Sequence, residues 1–259
     1  MYSRRKALGQ HFLISDGIAD KIVSSLGIPP GARILEVGPG RGFLTERLIK
    51  AGYEVVGIEK DEVLFQKLKE LHHRKLTVLN EDILNINLKT FVEEHSISAI
   101  VSNLPYVIST RFVEKLVREM PSVEEIVLMF QKEVADKLIA PAGSRNTGPL
   151  SIALQEFFSV RKLFNVKPGA FNPPPSVQSS VLKMTPLSGS SLERELSGEY
   201  LDFLFLLFEN RRKKIKHKLN LQCEIENSVF DKRAEEIDAR MLRELFRCYR
   251  SSLQSNSVE

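Results

Sequence analysis

Apolar residues in the first half of the chain occur in short runs that are bounded by glycine, proline, asparagine or aspartate. These runs predict five strands, near residues 32–37, 54–58, 76–80, 97–101 and 123–130. Between the runs, apolar residues recur every three or four positions and predict helices over Asp16–Leu26, after Gly42 and after Asp61. Strands that alternate with helices are typical of an α/β fold, in which helices cover both faces of a parallel sheet.

The pattern continues with one more helix and two more strands. Thr110 is placed to cap a helix over Arg111–Arg118. Two strands, Phe157–Phe164 and Ser179–Met184, flank a proline-rich loop. The α/β domain is therefore predicted to extend over residues 1–187.

The composition changes after Pro186, where Leu187–Ser191 forms a predicted hinge. Apolar residues from Tyr200 to Leu219 keep the spacing of a helix, with basic residues on its remaining faces. A last helix is predicted over Ala239–Arg250. Residues 188–259 are therefore predicted to form a small all-helical domain.

Composition argues against several classes of protein. Of the 259 residues, 42% are hydrophobic and 27% are charged, which is ordinary globular usage. The longest apolar run, Leu201–Phe208, is far shorter than the roughly 20 residues of a membrane-spanning helix. Because no apolar segment follows the basic N-terminus, we expect no secretory leader and a cytoplasmic protein. The two cysteines, Cys223 and Cys248, stand in no metal-ligand spacing, so no metal site is predicted.

The net charge is only +4, but the positive residues are clustered. Residues 211–218 contain six lysines and arginines, and a second cluster opens the chain. Such clusters attract polyanions by releasing counterions, although a single cluster is more often the solvated face of a helix. The candidate RNA-binding residues are Arg4, Arg5, Lys6, Arg211, Arg212, Lys213 and Lys214.

A glycine-rich turn follows the first predicted strand and precedes a helix. It contains Gly38, Gly40 and Gly42, and glycines let the backbone approach a ligand and adopt positive φ. Open α/β sheets bind ligands at this edge, outside the carboxyl ends of the strands. Glu59, near the end of the second strand, is placed to accept hydrogen bonds from both hydroxyls of a ribose.

Two cofactors compete for this turn. A dinucleotide fingerprint requires a third glycine where this chain has Phe43. S-adenosylmethionine requires the glycine turn, an acid for its ribose and a polar contact for its adenine. Asp82, after the third strand, is placed to accept a hydrogen bond from the adenine amino group. A glycine-rich turn can also be only a tight loop, but glycines and acids at three successive strand ends together favour S-adenosylmethionine.

The sharpest chemical signal is the segment Asn103-Leu104-Pro105-Tyr106, which follows the fourth strand. An exocyclic amine on an aromatic base is a poor nucleophile because its lone pair is delocalised into the ring. The side-chain oxygen of Asn103 and the backbone carbonyl of Leu104 can each accept one of its hydrogens, which favours a pyramidal nitrogen. Catalysis would then consist mainly of positioning and electrostatic preorganisation. Pro105 stiffens the turn, and Tyr106 can stack on the base.

Each of these residues also has a purely structural interpretation. Asn103 and Pro105 suit an ordinary turn after a strand. Phe171, in the proline-rich loop, is a candidate to hold the base from its other side, but it could equally be a core residue under a rigid loop. The functional interpretation is favoured because the segment follows a cofactor-like site on the same edge of the sheet.

Six segments, in order over nearly the whole chain, carry a family resemblance: Leu8–Leu13, Glu36–Gly40, Asn103–Tyr106, Gln131–Glu133, Phe171–Ser179 and Asn210–Lys213. They resemble the bacterial KsgA (RsmA) rRNA adenine dimethyltransferases. The resemblance implies a Rossmann-like, S-adenosylmethionine-dependent methyltransferase domain, followed by a small helical domain that binds RNA. It also implies N6,N6-dimethylation of two adjacent adenines in the 3′-terminal hairpin of small-subunit (16S) rRNA, with a role in small-subunit biogenesis.

The resemblance further implies residue roles and partners. Segment 1–14 would be a basic lid on the cofactor, and the substrate would be small-subunit rRNA in a pre-subunit particle, acted on by a monomer away from membranes. Many relatives carry Asn where this chain has His11. By resemblance the cofactor-binding residues are Gln10, His11, Leu13, Gly38, Gly40, Glu59, Asp82 and Asn103, and the catalytic residues are Asn103, Leu104, Pro105, Tyr106 and Phe171.

Three other functions remain open on the sequence. The related Erm enzymes dimethylate an adenine of large-subunit rRNA and share the cofactor and Asn-Leu-Pro-Tyr motifs. A non-catalytic assembly factor could keep the fold without the chemistry, which the presence of Glu59, Asp82 and Asn103 argues against. Methyltransferases of glutamine side chains or of DNA adenine usually have a second proline where this chain has Leu104.

Overall fold

The structure is a computed structural model that describes residues 10–219 and 225–256. Its strands are β1 (Phe12–Leu13), β2 (Arg33–Val37), β3 (Glu54–Ile58), β4 (Leu76–Leu79), β5 (Ala99–Asn103), β6 (Glu125–Gln131), β7 (Phe158–Val166), β8 (Phe171–Asn172) and β9 (Ser179–Pro186). Its α-helices are α1 (Asp16–Ser24), α2 (Phe43–Lys50), α3 (Glu62–Lys69), α4 (Leu88–Glu94), α5 (Tyr106–Glu119), α6 (Lys132–Leu138), α7 (Pro149–Phe157), α8 (Ser197–Phe208) and α9 (Ala239–Asn256). Arg4, Arg5, Lys6 and Cys223 lie outside the described residues.

Seven strands form one sheet in the order β4-β3-β2-β5-β6-β9-β7. Strands β2 to β6 run parallel, and β9 and β7 add to the sheet in the antiparallel sense. Ile34 and Leu35 of β2 are fully buried although successive residues of a strand point to opposite faces, so both faces of the sheet are covered. The predicted α/β class is confirmed.

A small second sheet ties the start of the described chain to the proline-rich loop. Strand β1 pairs with β8, so that Phe12 faces Asn172 and Leu13 faces Phe171. The amide of Ile14 extends the pairing by donating to the carbonyl of Ala170 over 2.8 Å. The segment around β1 is thereby held beside the loop that precedes β9.

Contacts divide the chain into two compact units. The first comprises the chain up to Ala135 together with Phe158–Pro186, and the second comprises Asp136–Phe157 together with the chain from Leu187 onward. The boundary between the two units at Pro186 and Leu187 therefore lies close to the predicted division after residue 187. Residues 136–157, which the sequence assigned to the first domain, group instead with the second unit, because α7 packs against α8.

The helix predicted over Tyr200–Leu219 is shorter than expected. Helix α8 ends at Phe208, and the basic segment after it forms turns and one short 3₁₀ helix, Ile215–His217. Two backbone hydrogen bonds explain the change of course: the Lys213 amide donates to Asn210 (2.8 Å), and the Ile215 amide donates to Lys232 (2.9 Å). The prediction that these cations occupy the faces of a helix was wrong.

Helix α5 begins earlier than predicted. Its first residue is Tyr106, and Thr110 lies within it instead of capping it. Proline suits the position before a helix because it lacks the N–H group that would need a partner there, and Pro105 occupies that position here. Helices α4, α6 and α7 were not predicted.

Helix α9 extends six residues beyond its predicted end at Arg250. Leu242, Leu245 and Phe246 of α9 are buried, as the periodicity of the sequence indicated. The ring of Phe246 lies 5.1 Å from that of Tyr200 and 5.5 Å from that of Phe203, which gives the second unit an aromatic core. Within residues 10–219 and 225–256, no helix combines the length and the apolar character needed to cross a membrane.

Candidate active site

The loops that follow β2, β3 and β5 meet the segment around β1 in one pocket, at the edge of the sheet that the sequence predicted. The empty space between its walls, including open solvent at its mouth, amounts to about 650 Å³. The lining residues are Gln10, His11, Phe12, Leu13, Glu36, Gly38, Pro39, Gly40, Arg41, Phe43, Leu44, Glu59, Asn103, Leu104, Pro105 and Tyr106.

The glycine turn forms the floor of the pocket. Gly38 and Gly40 have φ angles of 66° and 62°, in the left-handed region that side chains rarely adopt. A Cβ atom on Gly40 would lie 3.1 Å from the ring of Phe12, so a side chain would crowd the pocket wall. The course of the chain therefore requires glycine at these two positions.

Glu59 is buried at the end of β3, with 4% of its surface exposed. Its Oε2 atom accepts the amide hydrogen of Gly40 (3.0 Å), and its Oε1 atom accepts that of Asp61 (2.9 Å). Burial raises the pKa of Glu59, and these two hydrogen bonds oppose the rise. Asn80 holds the same loop by donating from Nδ2 to the Glu59 carbonyl (2.9 Å). The carboxylate is thus fixed against the glycine turn.

Glu36 is a pocket residue that sequence reasoning missed. It is only 2% exposed, and its Oε2 atom accepts a hydrogen bond of 2.6 Å from the hydroxyl of Thr45. Burial raises the pKa of Glu36 to about 7, the bond from Thr45 opposes that rise, and the negative charge of Glu59 adds to it. The signal was present in the sequence: Glu36 is the only charged residue in the apolar run Ile34–Val37, and buried carboxylates are rare without a function or a partner.

Asn103 ends β5 at the mouth of the pocket. Its Nδ2 atom donates a hydrogen bond of 3.0 Å to the backbone carbonyl of His11. Because the amide nitrogen makes this bond, the side-chain oxygen is the end of the amide that could act as an acceptor. Leu104 is buried and Pro105 precedes α5, so the residues on either side of the amide are held by packing and by the start of the helix.

Tyr106 lies at the first position of α5, on the wall of the pocket. Its hydroxyl is 2.6 Å from that of Ser179, and its ring is 5.4 Å from the ring of His11. Nδ1 of His11 is 2.8 Å from the carbonyl oxygen of Pro173. His11 therefore connects three parts of the site: the segment around β1, the proline-rich loop and the asparagine turn.

Two of the predicted residues do not line the pocket. Asp82 accepts from Lys60 Nζ (2.8 Å) and from the amide of Leu84 (3.0 Å). Partial burial raises its pKa, but the bonds from Lys60 and Leu84 and the charges of Lys60 and Arg111 bring it below the ordinary value. Phe171 is 2% exposed and belongs to the hydrophobic core, which is the structural alternative that the sequence left open.

In the basic segment of the second unit, some cations bind other groups of the protein and others are exposed. Lys214 and Lys216 both bind the carboxylate of Asp231, at 3.3 and 2.7 Å, and Arg211 donates to the carbonyl of Thr147. The side chains of Arg212 and Lys213 are exposed. The cations of this segment are therefore not equivalent in their capacity to bind an anion.

Within residues 10–219 and 225–256, no group of three or more histidine, cysteine, aspartate and glutamate side chains could hold a metal ion.

Comparison of the sequence with known proteins identifies a family to which it is similar. The model of the family described as ribosomal RNA adenine dimethylase matches residues 1–247. The "Ribosomal RNA small subunit methyltransferase A" of Halothermothrix orenii is 35% identical over 226 residues, which cover 85% of this chain and 75% of the relative. The protein of the same name from Pseudomonas aeruginosa is 38% identical over 186 residues, which cover 71% of this chain and 69% of the relative.

Solved structures share the fold. A dimethyladenosine transferase from Plasmodium falciparum superposes with a TM-score of 0.76 at 26% identity, over 91% of this chain and 96% of the other. The 23S rRNA methyltransferase ErmE superposes with a TM-score of 0.69 at 22% identity, over 91% of this chain and 98% of the other. The α/β methyltransferase fold with a helical C-terminal part is thereby confirmed.

Proposed function

The chain belongs to the ribosomal RNA adenine dimethylase family, and from that premise we propose that it transfers methyl groups from S-adenosylmethionine to N6 of two adjacent adenines. These adenines lie in the 3′-terminal hairpin of small-subunit rRNA. The chain is an rRNA adenine dimethyltransferase. We further propose that it acts in the cytoplasm, as a monomer, on a small-subunit particle during assembly.

The observation that carries the proposed chemistry is the orientation of Asn103. Because its Nδ2 atom donates to the carbonyl of His11, its Oδ1 atom is available to accept a hydrogen from an amine. An amine held by Oδ1 and by the backbone carbonyl of Leu104 would lose conjugation with its purine ring, so that its lone pair could attack. The turn works by positioning and by fixed dipoles.

The pocket residues fit S-adenosylmethionine, which supplies an electrophilic methyl group when bound. The glycine turn has no side chain at Gly38 and Gly40, and Glu59 offers fixed carboxylate oxygens for a pair of hydroxyls. The pocket is also acidic inside, because both Glu36 and Glu59 are buried in it. The proposed cofactor-binding residues are Gln10, His11, Leu13, Gly38, Gly40, Glu59, Asp82 and Asn103.

Substrate binding would combine an aromatic residue of the pocket with basic residues near the N-terminus and after α8. Tyr106 lines the mouth of the pocket and is the proposed stacking partner of an adenine turned out of its RNA strand. Within the basic segment, the exposed Arg212 and Lys213 are the proposed contacts to RNA phosphates, which position a nucleic acid without reading its sequence. Arg4, Arg5 and Lys6, beyond the described ranges, keep the same proposed role.

Methylation of ribosomal subunits tests this proposal directly. The protein is incubated with methyl-labelled S-adenosylmethionine and with unmethylated small subunits, and the modified nucleotides are mapped. Large subunits and deproteinised small-subunit rRNA serve as parallel substrates. We expect label on two adjacent adenines near the 3′ end of the small-subunit rRNA and none on the large subunit. Label on a large-subunit adenine would replace the proposal with the function of the Erm enzymes.

A further inference from the structure

Two carboxylates, those of Glu36 and Glu59, are buried together in the pocket. Glu36 accepts a hydrogen bond from a hydroxyl, and Glu59 accepts two from backbone amides. Among the ranges that the structure describes, neither carboxylate forms an ion pair. Taking a charge out of water is costly unless it is paired, so one of the two acids can stay neutral by holding a proton.

The distribution of hydrogen bonds indicates which acid holds the proton. Glu59 is held by two amide donors, which favour its ionised form. Glu36 is the more deeply buried of the two and has a single described donor, the hydroxyl of Thr45. Its second oxygen is therefore free to carry a proton, in agreement with a pKa raised to about 7 by burial.

The other titratable groups of the pocket do not compensate Glu36. Arg41 lies over the ring of Phe12, with its guanidinium carbon 4.6 Å from the ring centre. His11 is engaged with the carbonyl of Pro173, and Tyr106 with the hydroxyl of Ser179. Among residues 10–219 and 225–256, no group of the protein therefore brings a positive charge to Glu36, and a cationic ligand in the pocket would supply one.

We infer that Glu36 gives up its proton when S-adenosylmethionine binds and takes a proton back when the methyl group has been transferred. This inference rests on the proposed function, because it takes S-adenosylmethionine as the ligand. The bound sulfonium makes the cofactor a net cation, whereas S-adenosylhomocysteine is neutral overall. The balance is simple: the carboxylic acid becomes a carboxylate, and the proton passes to the buffer. Glu36 thereby favours the substrate form of the cofactor over the product form.

Isothermal titration calorimetry at pH 7, in two buffers of different ionisation enthalpy, counts the protons exchanged on binding. We expect binding of S-adenosylmethionine to release about half a proton, since a group whose pKa is about 7 is half protonated at that pH. S-adenosylhomocysteine should release almost none. Between pH 6 and pH 8 the Kd of S-adenosylmethionine should fall about tenfold, and that of S-adenosylhomocysteine should stay nearly constant.

Two variants should change the number of protons released on binding in opposite directions. Glu36→Gln keeps the acceptor for Thr45 and removes the titrating group, so the release should disappear. Thr45→Val removes the donor that favours the ionised form of Glu36, so the release should rise towards one proton. Any titration of the cofactor's own amino group persists in Glu36→Gln, and the difference from the wild type isolates Glu36.

The outcomes separate the inference from the proposed function. If S-adenosylmethionine binds with the same proton release in the wild type and in Glu36→Gln, the inference is wrong while the function stands. Equal release by S-adenosylmethionine and S-adenosylhomocysteine also overturns it. If S-adenosylmethionine does not bind at all, the proposed function fails. Thermal melting without ligand shows whether each variant is folded.

Discussion

The side-chain amide of Asn103 and the backbone carbonyl of His11 are joined by a hydrogen bond of 3.0 Å. The two residues lie 92 positions apart in the chain, and the bond connects the segment around β1 to the turn that follows β5. Because the amide nitrogen makes this bond, the side-chain oxygen is the end of the amide left for the proposed amine substrate. The position of the N-terminal segment and the chemistry of the asparagine turn are therefore linked.

Replacement of Asn103 by alanine tests this link. Asn103→Ala removes the oxygen that would accept the amine hydrogen, and loss of one preorganised polar group typically lowers kcat by about 10²–10³-fold. Binding of RNA should stay nearly unchanged, since phosphate contacts dominate affinity. Single-turnover methylation of small subunits and filter binding of RNA measure the two effects.

Asn165→Ala is a matched control for that experiment, because Asn165 lies on β7 outside the pocket and bonds to the hydroxyl of Ser180. It should methylate at the wild-type rate. Near-normal methylation by Asn103→Ala would refute the proposed role of the amide.

Glu36 should make the stability of the protein depend on pH. Its pKa is raised from 4.5 to about 7 in the folded state, so the folded protein binds more protons than the unfolded chain between these values. Stability from this group is complete below pH 4.5 and is lost as pH rises through 7. Glu36→Gln should therefore be more stable than the wild type above pH 7, by about 3 kcal/mol, and nearly equal to it at pH 4.5.

Urea unfolding at a series of pH values without ligand measures this difference. Glu54→Gln is the control, because Glu54 is a partly exposed acid on β3 that pairs with Arg33. The difference in unfolding free energy between Glu54→Gln and the wild type should not show the same dependence on pH. A gap between Glu36→Gln and the wild type that does not change with pH would show that Glu36 is ionised throughout.

RNA binding should depend on the exposed cations of the basic segment. Arg212 and Lys213 are exposed, and each phosphate contact contributes about 0.7–0.9 to the slope of log K against log salt concentration. Arg212→Glu combined with Lys213→Glu should weaken RNA binding and flatten that slope by about 2. Fluorescence anisotropy over a range of salt concentrations measures both quantities, and Lys89→Glu on α4 is the control reversal.

Asp231→Asn should act in the opposite direction. Lys214 and Lys216 bind the Asp231 carboxylate, so removing its charge leaves two more cations for RNA. We expect tighter binding and a steeper salt dependence than in the wild type. If neither this variant nor the double reversal changes RNA affinity, the segment is a solvated surface.

Much of the site was predictable because it follows local rules. Gly38 and Gly40 lie at a strand-to-helix turn that requires positive φ, and Glu59 lies at the end of the next strand. Such positions are set by the order of strands and helices, which periodicity reveals. The position of Asn103 at the end of β5 followed from the same order.

The rest depends on contacts between distant parts of the chain. The basic segment after Phe208 is not helical because the Ile215 amide donates to the carbonyl of Lys232. No local sequence pattern predicts that bond. Helix α7 joins the second unit through packing against α8, which the sequence order conceals. The sequence also left two interpretations of Phe171 open, since a core residue and a stacking residue have the same hydrophobic character.

The role of Phe171 can be tested through stability and activity. It pairs through its backbone with Leu13 and is buried in the core of the first unit. Phe171→Ala should lower the free energy of unfolding by about 3–5 kcal/mol, as is usual for truncation of a buried phenylalanine. Phe171→Leu should cost less, because it preserves most of the buried volume.

Activity distinguishes the two roles once stability is preserved. If Phe171 is only a core residue, Phe171→Leu should methylate almost as fast as the wild type at a temperature where both are folded. If its ring leaves the core to stack on the adenine, the loss of an aromatic face should reduce methylation by the equivalent of about 1–3 kcal/mol, in parallel with Tyr106→Leu. The buried position favours the first result, and kcat values of the two leucine variants, compared on small subunits, decide between them.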